Sequence, residues 1–158
     1  MSGAEDSPLT ECIACELADG RRPLPGGLIH RTRHWLVEHC VGSLSLGTLI
    51  VKPERHVTAV DALNPDEALE LGPLLRLTSA VARDLVNADQ VYNCLWSHAG
   101  GVPVHIHYVV QPVTKDHMAD FGDCGPRLQV AMFANRRPPN AADIARIAEV
   151  ARRRFTSG

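Results

Sequence analysis

Apolar and polar residues fall into stretches that predict a chain of strands and helices in a definite order. Residues 34–41 (HWLVEHCV) are dominated by apolar and β-prone side chains and predict a strand. Residues 42–45 supply a turn, and residues 47–52 (GTLIVK) predict a second strand that ends at Pro53. Asn64-Pro65-Asp66-Glu67 then opens a helix: a cap, a proline where its missing N–H is harmless, and acids at the positive end. Leu69, Leu74, Leu77, Val81 and Leu85 continue at roughly helical spacing, with Gly72-Pro73 expected to kink that helix or delay its start. Residues 91–96 and 104–113 predict two more strands, separated by a glycine turn at 99–101. Beyond Pro138-Pro139, Asn140 caps another helix with Asp143 three residues on; Ile144, Ile147, Val150 and Ala151 are its expected inner face. The order strand, strand, helix, strand, strand, helix predicts an α+β fold around an antiparallel sheet.

With 158 residues and no internal linker, one domain is expected over residues 11–158, after a flexible polar segment at 1–10. The formal net charge of -2 argues against binding nucleic acid through bulk electrostatics. Two Trp, two Tyr and three Phe leave few rings for a base-stacking platform. No apolar run approaches the roughly 20 residues of a spanning helix, so no membrane partner is expected. The opening MSGAEDSP has neither a basic nor an apolar segment of a secretory signal. Five cysteines, an odd number at irregular spacing, then read as thiols or metal ligands in a cytoplasmic protein. Together with eight histidines they are the surplus that composition leaves to be explained.

Residues 103–113 (PVHIHYVVQPV) carry the strongest chemical signal. Side chains two apart on a strand share a face, so His105, His107, Val109 and Gln111 point together. Ile106, Tyr108 and Val110 point the other way, toward a core. Same-face neighbours stand roughly 6.6 Å apart, a spacing suited to gripping a phosphate or a metal from one rigid element. Gly100-Gly101, just upstream, lets backbone N–H groups approach an anion closely. Cys12-x-x-Cys15 places two thiols within one turn, near enough to clamp a soft cation. On spacing alone a redox pair and simple reduced thiols remain alternatives, although a redox site expects a preceding apolar strand and here a polar tail precedes it.

Residues 103–113 resemble the histidine-triad (HIT) family of nucleotide hydrolases and transferases, whose motif is His-x-His-x-His followed by two apolar residues and often a proline. The family's glycine five residues before the first His matches Gly100, and its proline three after the third matches Pro112. In that register His105 is the first member, His107 the middle one and nucleophile, and Val109 replaces the third. A second register, with Pro103 first, His105 as nucleophile and His107 third, fits both anchors less well. Residues 47–56 (GTLIVKPERH) are similar to the family's strand ending in a Pro-x-x-His turn, and residues 12–16 (CIACE) to the opening of its zinc-bearing members.

The resemblance implies an antiparallel sheet of about five strands with two principal helices, a homodimer, and a structural zinc held by Cys12, Cys15, His56 and His105. It also implies attack by His107 on the α-phosphorus of a small-molecule nucleotide, through a covalent nucleotidyl-histidine. Asn93, His98, Gly100, Gly101 and Gln111 are the candidate substrate contacts, with a backbone carbonyl or a neighbouring His orienting His107. Departures at Val109, Cys94, Gly101 and Val102 remove several usual phosphate contacts. They leave two readings: a hydrolase or transferase, and a zinc-stabilised nucleotide-binding module with little turnover. His34 and His39 are expected as partly exposed strand residues, and Tyr92, Leu95 and Trp96 as core.

Overall fold

The computed structural model describes residues 12–99 and 102–157. The expected flexible segment and the Gly100-Gly101 turn thus lie outside the described residues. Five strands form one antiparallel sheet: β1 (His30–Arg31), β2 (Trp35–His39), β3 (Leu49–Pro53), β4 (Gln90–Ala99) and β5 (Val102–Val113). Their order across the sheet is β1-β2-β3-β5-β4. Helices α1 (Ile13–Ala18), α2 (Pro65–Val86), α3 (Lys115–Phe121), α4 (Gly125–Ala134) and α5 (Ala141–Thr156) complete the chain. The expected α+β class and the strand count hold. Pro53, expected to close the second strand, instead pairs with Trp35 as its last residue.

Register decides which residues meet. Glu38 pairs with Ile50, Ile50 with Val109, and Val109 with Cys94, so one row of side chains crosses four strands. Neighbours one residue away on each strand point through the sheet. Trp35, Val37, Leu49, Val51 and Val110 accordingly pack against Leu74, Val81 and Ala82 of α2 and Ala148, Ala151 and Phe155 of α5. The opposite face holds a second cluster, Cys40, Ile50, Val109 and Val113, under Leu128 and Met132 of α4. Helices α3 and α4 were not expected from the pattern. Their signals are local: Thr114 and His117 form a capping box, Gly122 ends α3 in a left-handed conformation, and a proline sits in the first turn of α4.

Helix α2 starts where the Asn64 signal placed it, with a complete capping box between Asn64 and Glu67. It runs 22 residues without stopping at Gly72-Pro73. The carbonyl that Pro73 cannot bond belongs to Leu69, which is 75% exposed, so water can take that bond. Leu69 is therefore on the outer face, contrary to expectation, while Thr78 and Ala82 are inside. On α5 the expected Val150 is likewise exposed, and Ala148 and Phe155 join Ile144 and Ala151 indoors. Gly26 explains the close seat of the 23–28 loop on α5: at φ +80°, a Cβ there would stand 2.6 Å from that of Ala148. Arg152 fastens the same loop through the carbonyls of Gly26 and Leu28. Among the described residues, no helix is long and apolar enough to cross a membrane.

Candidate functional site

Cys12 caps α1 and Cys15 lies in its first turn, which puts both sulfurs on the side of the helix that meets β5. His105 on β5 turns Nδ1 toward them, 3.8 Å from Cys12 Sγ and 3.5 Å from Cys15 Sγ. His56 brings its own Nδ1 to 3.4 Å from Cys15 Sγ. One ligand atom from each of Cys12, Cys15, His56 and His105 lies within 4.8 Å of all the others. The four residues are separated by up to 93 positions in the chain, yet they converge on one point. Two thiolates and two imidazoles suit a tetrahedral zinc, and a closed set of four protein ligands fits a structural rather than a catalytic ion.

Three contacts position this cluster. The Nε2–H of His105 donates to the carbonyl of Pro53 at 2.8 Å, which leaves the Nδ1 lone pair facing the thiols. Burial pushes the His105 pKa down to about 4, keeping the ring neutral and ligand-competent at ordinary pH. The backbone N–H of Ile106 donates to Val57, docking the segment after His56 beside β5. The preceding residue, Arg55, makes a two-pronged bond to Glu67 at 3.1 and 2.9 Å, tying the Pro-x-x-His turn to the start of α2. Neither Arg55 nor Glu67 stood out in the sequence as serving the metal ligands. Burial and the neighbouring Cys12 raise the Cys15 thiol to about 11, a cost that a bound cation would reverse by stabilising the thiolate.

His107 is half-buried on the same sheet face, two residues along β5. Its Nδ1 lies 3.0 Å from the backbone carbonyl of His105. A carbonyl can only accept, so Nδ1 carries the proton and Nε2 presents its lone pair outward. The orienting group is thus a backbone carbonyl, one of the two expected kinds. Trp96, its cross-strand partner, stands edge-on to the ring at 6.4 Å and leans on Phe133 of α4 at 5.4 Å. Glu38, buried on β2, is ion-paired to Lys52 at 2.7 Å. Lys52 also donates to the carbonyl of Ala14 at 2.9 Å, which pins α1 to the sheet.

The remaining candidates are distributed differently. Val109 is 1% exposed and belongs to the second core. Gln111 is fully buried; its side-chain oxygen accepts from Gln129 at 3.1 Å and its amide meets the Met132 sulfur. Asn93 lies on the sheet's other face, donating to Ser79 of α2 at 3.0 Å. His98 is exposed near the end of β4. His39 is buried rather than partly exposed: its Nδ1–H donates to the Cys40 carbonyl and its Nε2 accepts from the Gly47 N–H. His34 pairs with Glu70 at 2.6 Å, and Leu95, expected in the core, is 38% exposed. Tyr92 and Trp96 do pack against the second core.

A five-stranded antiparallel sheet with two long helices on one face and a histidine strand beside its centre matches known structures over nearly the whole chain. A zinc-bound histidine triad family protein from Mycobacterium smegmatis aligns with TM-score 0.68 and 18% identity, covering 94% of this chain and 97% of its own. A hypothetical histidine triad nucleotide-binding protein from Sulfolobus tokodaii aligns with TM-score 0.70 and 18% identity, covering 92% and 93%. This chain has the histidine-triad fold. A third similar structure, a Hit-like protein involved in cell-cycle regulation from Bartonella henselae, aligns at TM-score 0.68 and 11% identity over 92% and 97%. No protein-family model matches the sequence, and no curated protein matches it significantly. At these identities the likeness is one of fold, and the chemistry must be argued from the residues.

Proposed function

We propose that this protein belongs to the zinc-bearing histidine-triad proteins and acts on nucleoside phosphates at the α-phosphate, with His107 as nucleophile. The observation that carries this reading is the bond from His107 Nδ1 to the His105 carbonyl, which leaves Nε2 as the attacking atom. His105, its Nδ1 turned to the thiols and its Nε2 engaged by Pro53, has no nitrogen to spare, which disfavours the register that would make it the nucleophile. In the first step a bond forms between Nε2 and phosphorus while the bond to the leaving group breaks. Water then cleaves the nucleotidyl-histidine, releasing a nucleoside monophosphate and restoring the imidazole. Phosphate contacts are assigned to Gly100, Gly101 and His98, on sequence grounds. Zinc at Cys12, Cys15, His56 and His105 would hold β5 and α1 together beside the nucleophile; its role is structural. The diagnostic experiment is product analysis with diadenosine polyphosphates and nucleoside phosphoramidates. Release of a nucleoside monophosphate by wild type, and its loss in His107→Ala, is the expected result.

One observation favours the second reading, a binding module with little turnover. Val109 and Gln111, where a third phosphate contact belongs, are sealed under α4. Calorimetric binding of mononucleotides without any hydrolysis would select that reading. A homodimer is proposed through β4, which forms one edge of the sheet and has no strand beyond it among the described residues; light scattering tests it. A cytoplasmic setting is proposed from the thiol set, and cell fractionation tests that.

A further inference from the structure

A pocket of about 320 Å³ opens between the 43–46 turn, α3 and the segment that joins α4 to α5. Met132 in its wall meets Gln111, four residues and roughly 13 Å along β5 from His107. Leu44 and Met132 are buried, and with Phe121 they give the pocket an apolar interior. Pro138 and Pro139 close one side with backbone of fixed φ that offers no N–H. The polar groups on the walls are able to donate. His117, third residue of α3, accepts the Thr114 N–H at Nδ1 over 3.2 Å, so the ring is neutral and its proton sits on Nε2. That Nε2–H has no partner among the described residues and is not sealed from solvent. Burial lowers the His117 pKa, against the pull of Asp116 and Asp120 on its own helix, and neither acid lines the pocket. Arg137 brings an exposed guanidinium with no acidic partner among the described residues, and Ser43 and Asn135 add a hydroxyl and an amide. One positive charge and several donors stand over an apolar interior, and no acidic side chain is among the lining residues. That combination complements an anion with an apolar body, and the volume lies in the range of small-ligand sites.

We propose that this pocket binds a small organic carboxylate, its charge held by Arg137 and the His117 Nε2–H and its apolar body resting on Leu44, Phe121 and Met132. The site is separate from His107, and the proposal stands without the nucleotide reading above. Inorganic phosphate or acetate would satisfy the donors but leave the apolar interior unfilled, and a neutral hydrocarbon would leave the guanidinium without its anion.

The test is calorimetric titration of the full chain with 2-naphthoate, which is expected to fill one site per chain. 2-Naphthamide keeps the shape without the charge, and acetate keeps the charge without the body. Each is expected to bind about tenfold or more weakly than 2-naphthoate, the range for losing a hydrogen-bonded charge or a buried ring. Arg137→Gln removes the cation from an exposed position and should weaken 2-naphthoate by a similar factor while leaving Tm in place. His107→Ala is expected to bind 2-naphthoate as wild type does. No binding of 2-naphthoate, equal binding of its amide, or undiminished affinity in Arg137→Gln overturns the proposal. Loss of binding in His107→Ala overturns it too, by placing the carboxylate beside the nucleophile.

Discussion

His105 and His107 project from the same face of β5, two residues apart, and the backbone of the first orients the ring of the second: the His105 carbonyl accepts from His107 Nδ1 at 3.0 Å. The side chain of His105 meanwhile faces Cys12 and Cys15. A metal that holds His105 thereby also fixes the carbonyl that sets the tautomer of His107. Neighbouring histidines of identical type thus sit in different settings, His105 buried against the α1 thiols and His107 half-buried beside Trp96.

Replacing His107 by Ala is expected to lower nucleotide hydrolysis by on the order of 10³-fold or more, as for loss of a covalent nucleophile. The half-buried ring makes few core contacts, so the melting temperature should move by only a few degrees. Steady-state kinetics and a thermal melt on the same preparation check both parts. Wild-type rates in the variant would remove His107 from the chemistry.

Elemental analysis of protein purified without chelator is expected to give one zinc per chain. Cys15→Ser should lose the metal and with it about 3 kcal/mol or more, because α1 is then held only by the buried Leu17 and the Lys52 bond to Ala14. At this chain length that is a fall of roughly 6–12 °C in Tm. A metal-free wild type that melts at the same temperature with and without added zinc would contradict the assignment.

Lys52→Met leaves Glu38 buried without its cation and should cost about 3–5 kcal/mol, the usual result of removing one member of a buried pair. The double variant Glu38→Leu, Lys52→Met removes both charges and is expected to regain most of that loss. Urea unfolding of the two variants and wild type measures the difference. A single variant as stable as wild type would show that the pair is not anchored as described.

His39 makes stability depend on pH. Burial lowers its pKa below the 6.5 of the unfolded chain, and both ring nitrogens are used in the neutral form. As pH falls below 6.5 the unfolded chain takes up a proton that the folded chain refuses, so folding weakens. The contribution is complete above pH 6.5 and is lost progressively on acidification toward the depressed folded value. The slope of Tm against pH between 6.5 and 5 should therefore flatten in His39→Gln. An unchanged slope would assign the acid sensitivity elsewhere.

Strands β2 to β5 and the two long helices were legible because each has a local cause, such as alternation on β5 and the Asn64 and Asn140 caps; β1 and α1 were not read from the pattern. Residues 115–134 were less legible. Their capping signals are present, but α4 is short, and what recommends it as a helix is the sheet face it covers rather than its own periodicity. The same gap explains Asn93 and Gln111. Alternation told which residues share a face, but the partners of each face, Ser79 on one side and Gln129 on the other, come from distant segments.

The sequence by itself determined the order of the four longer strands and the two long helices and the spacing of His105 and His107, since these follow from short-range geometry; the set Cys12, Cys15, His56 and His105 was implied by the family resemblance. Only the tertiary structure decided that Cys12 meets His105 across 93 residues, that Val109 and Gln111 are closed off under α4, and that Glu38 lies buried with one oxygen unpaired. Those outcomes depend on which element packs on which face of the sheet. Periodicity within a strand tells two faces apart; burial and register across the whole chain decide what each face meets.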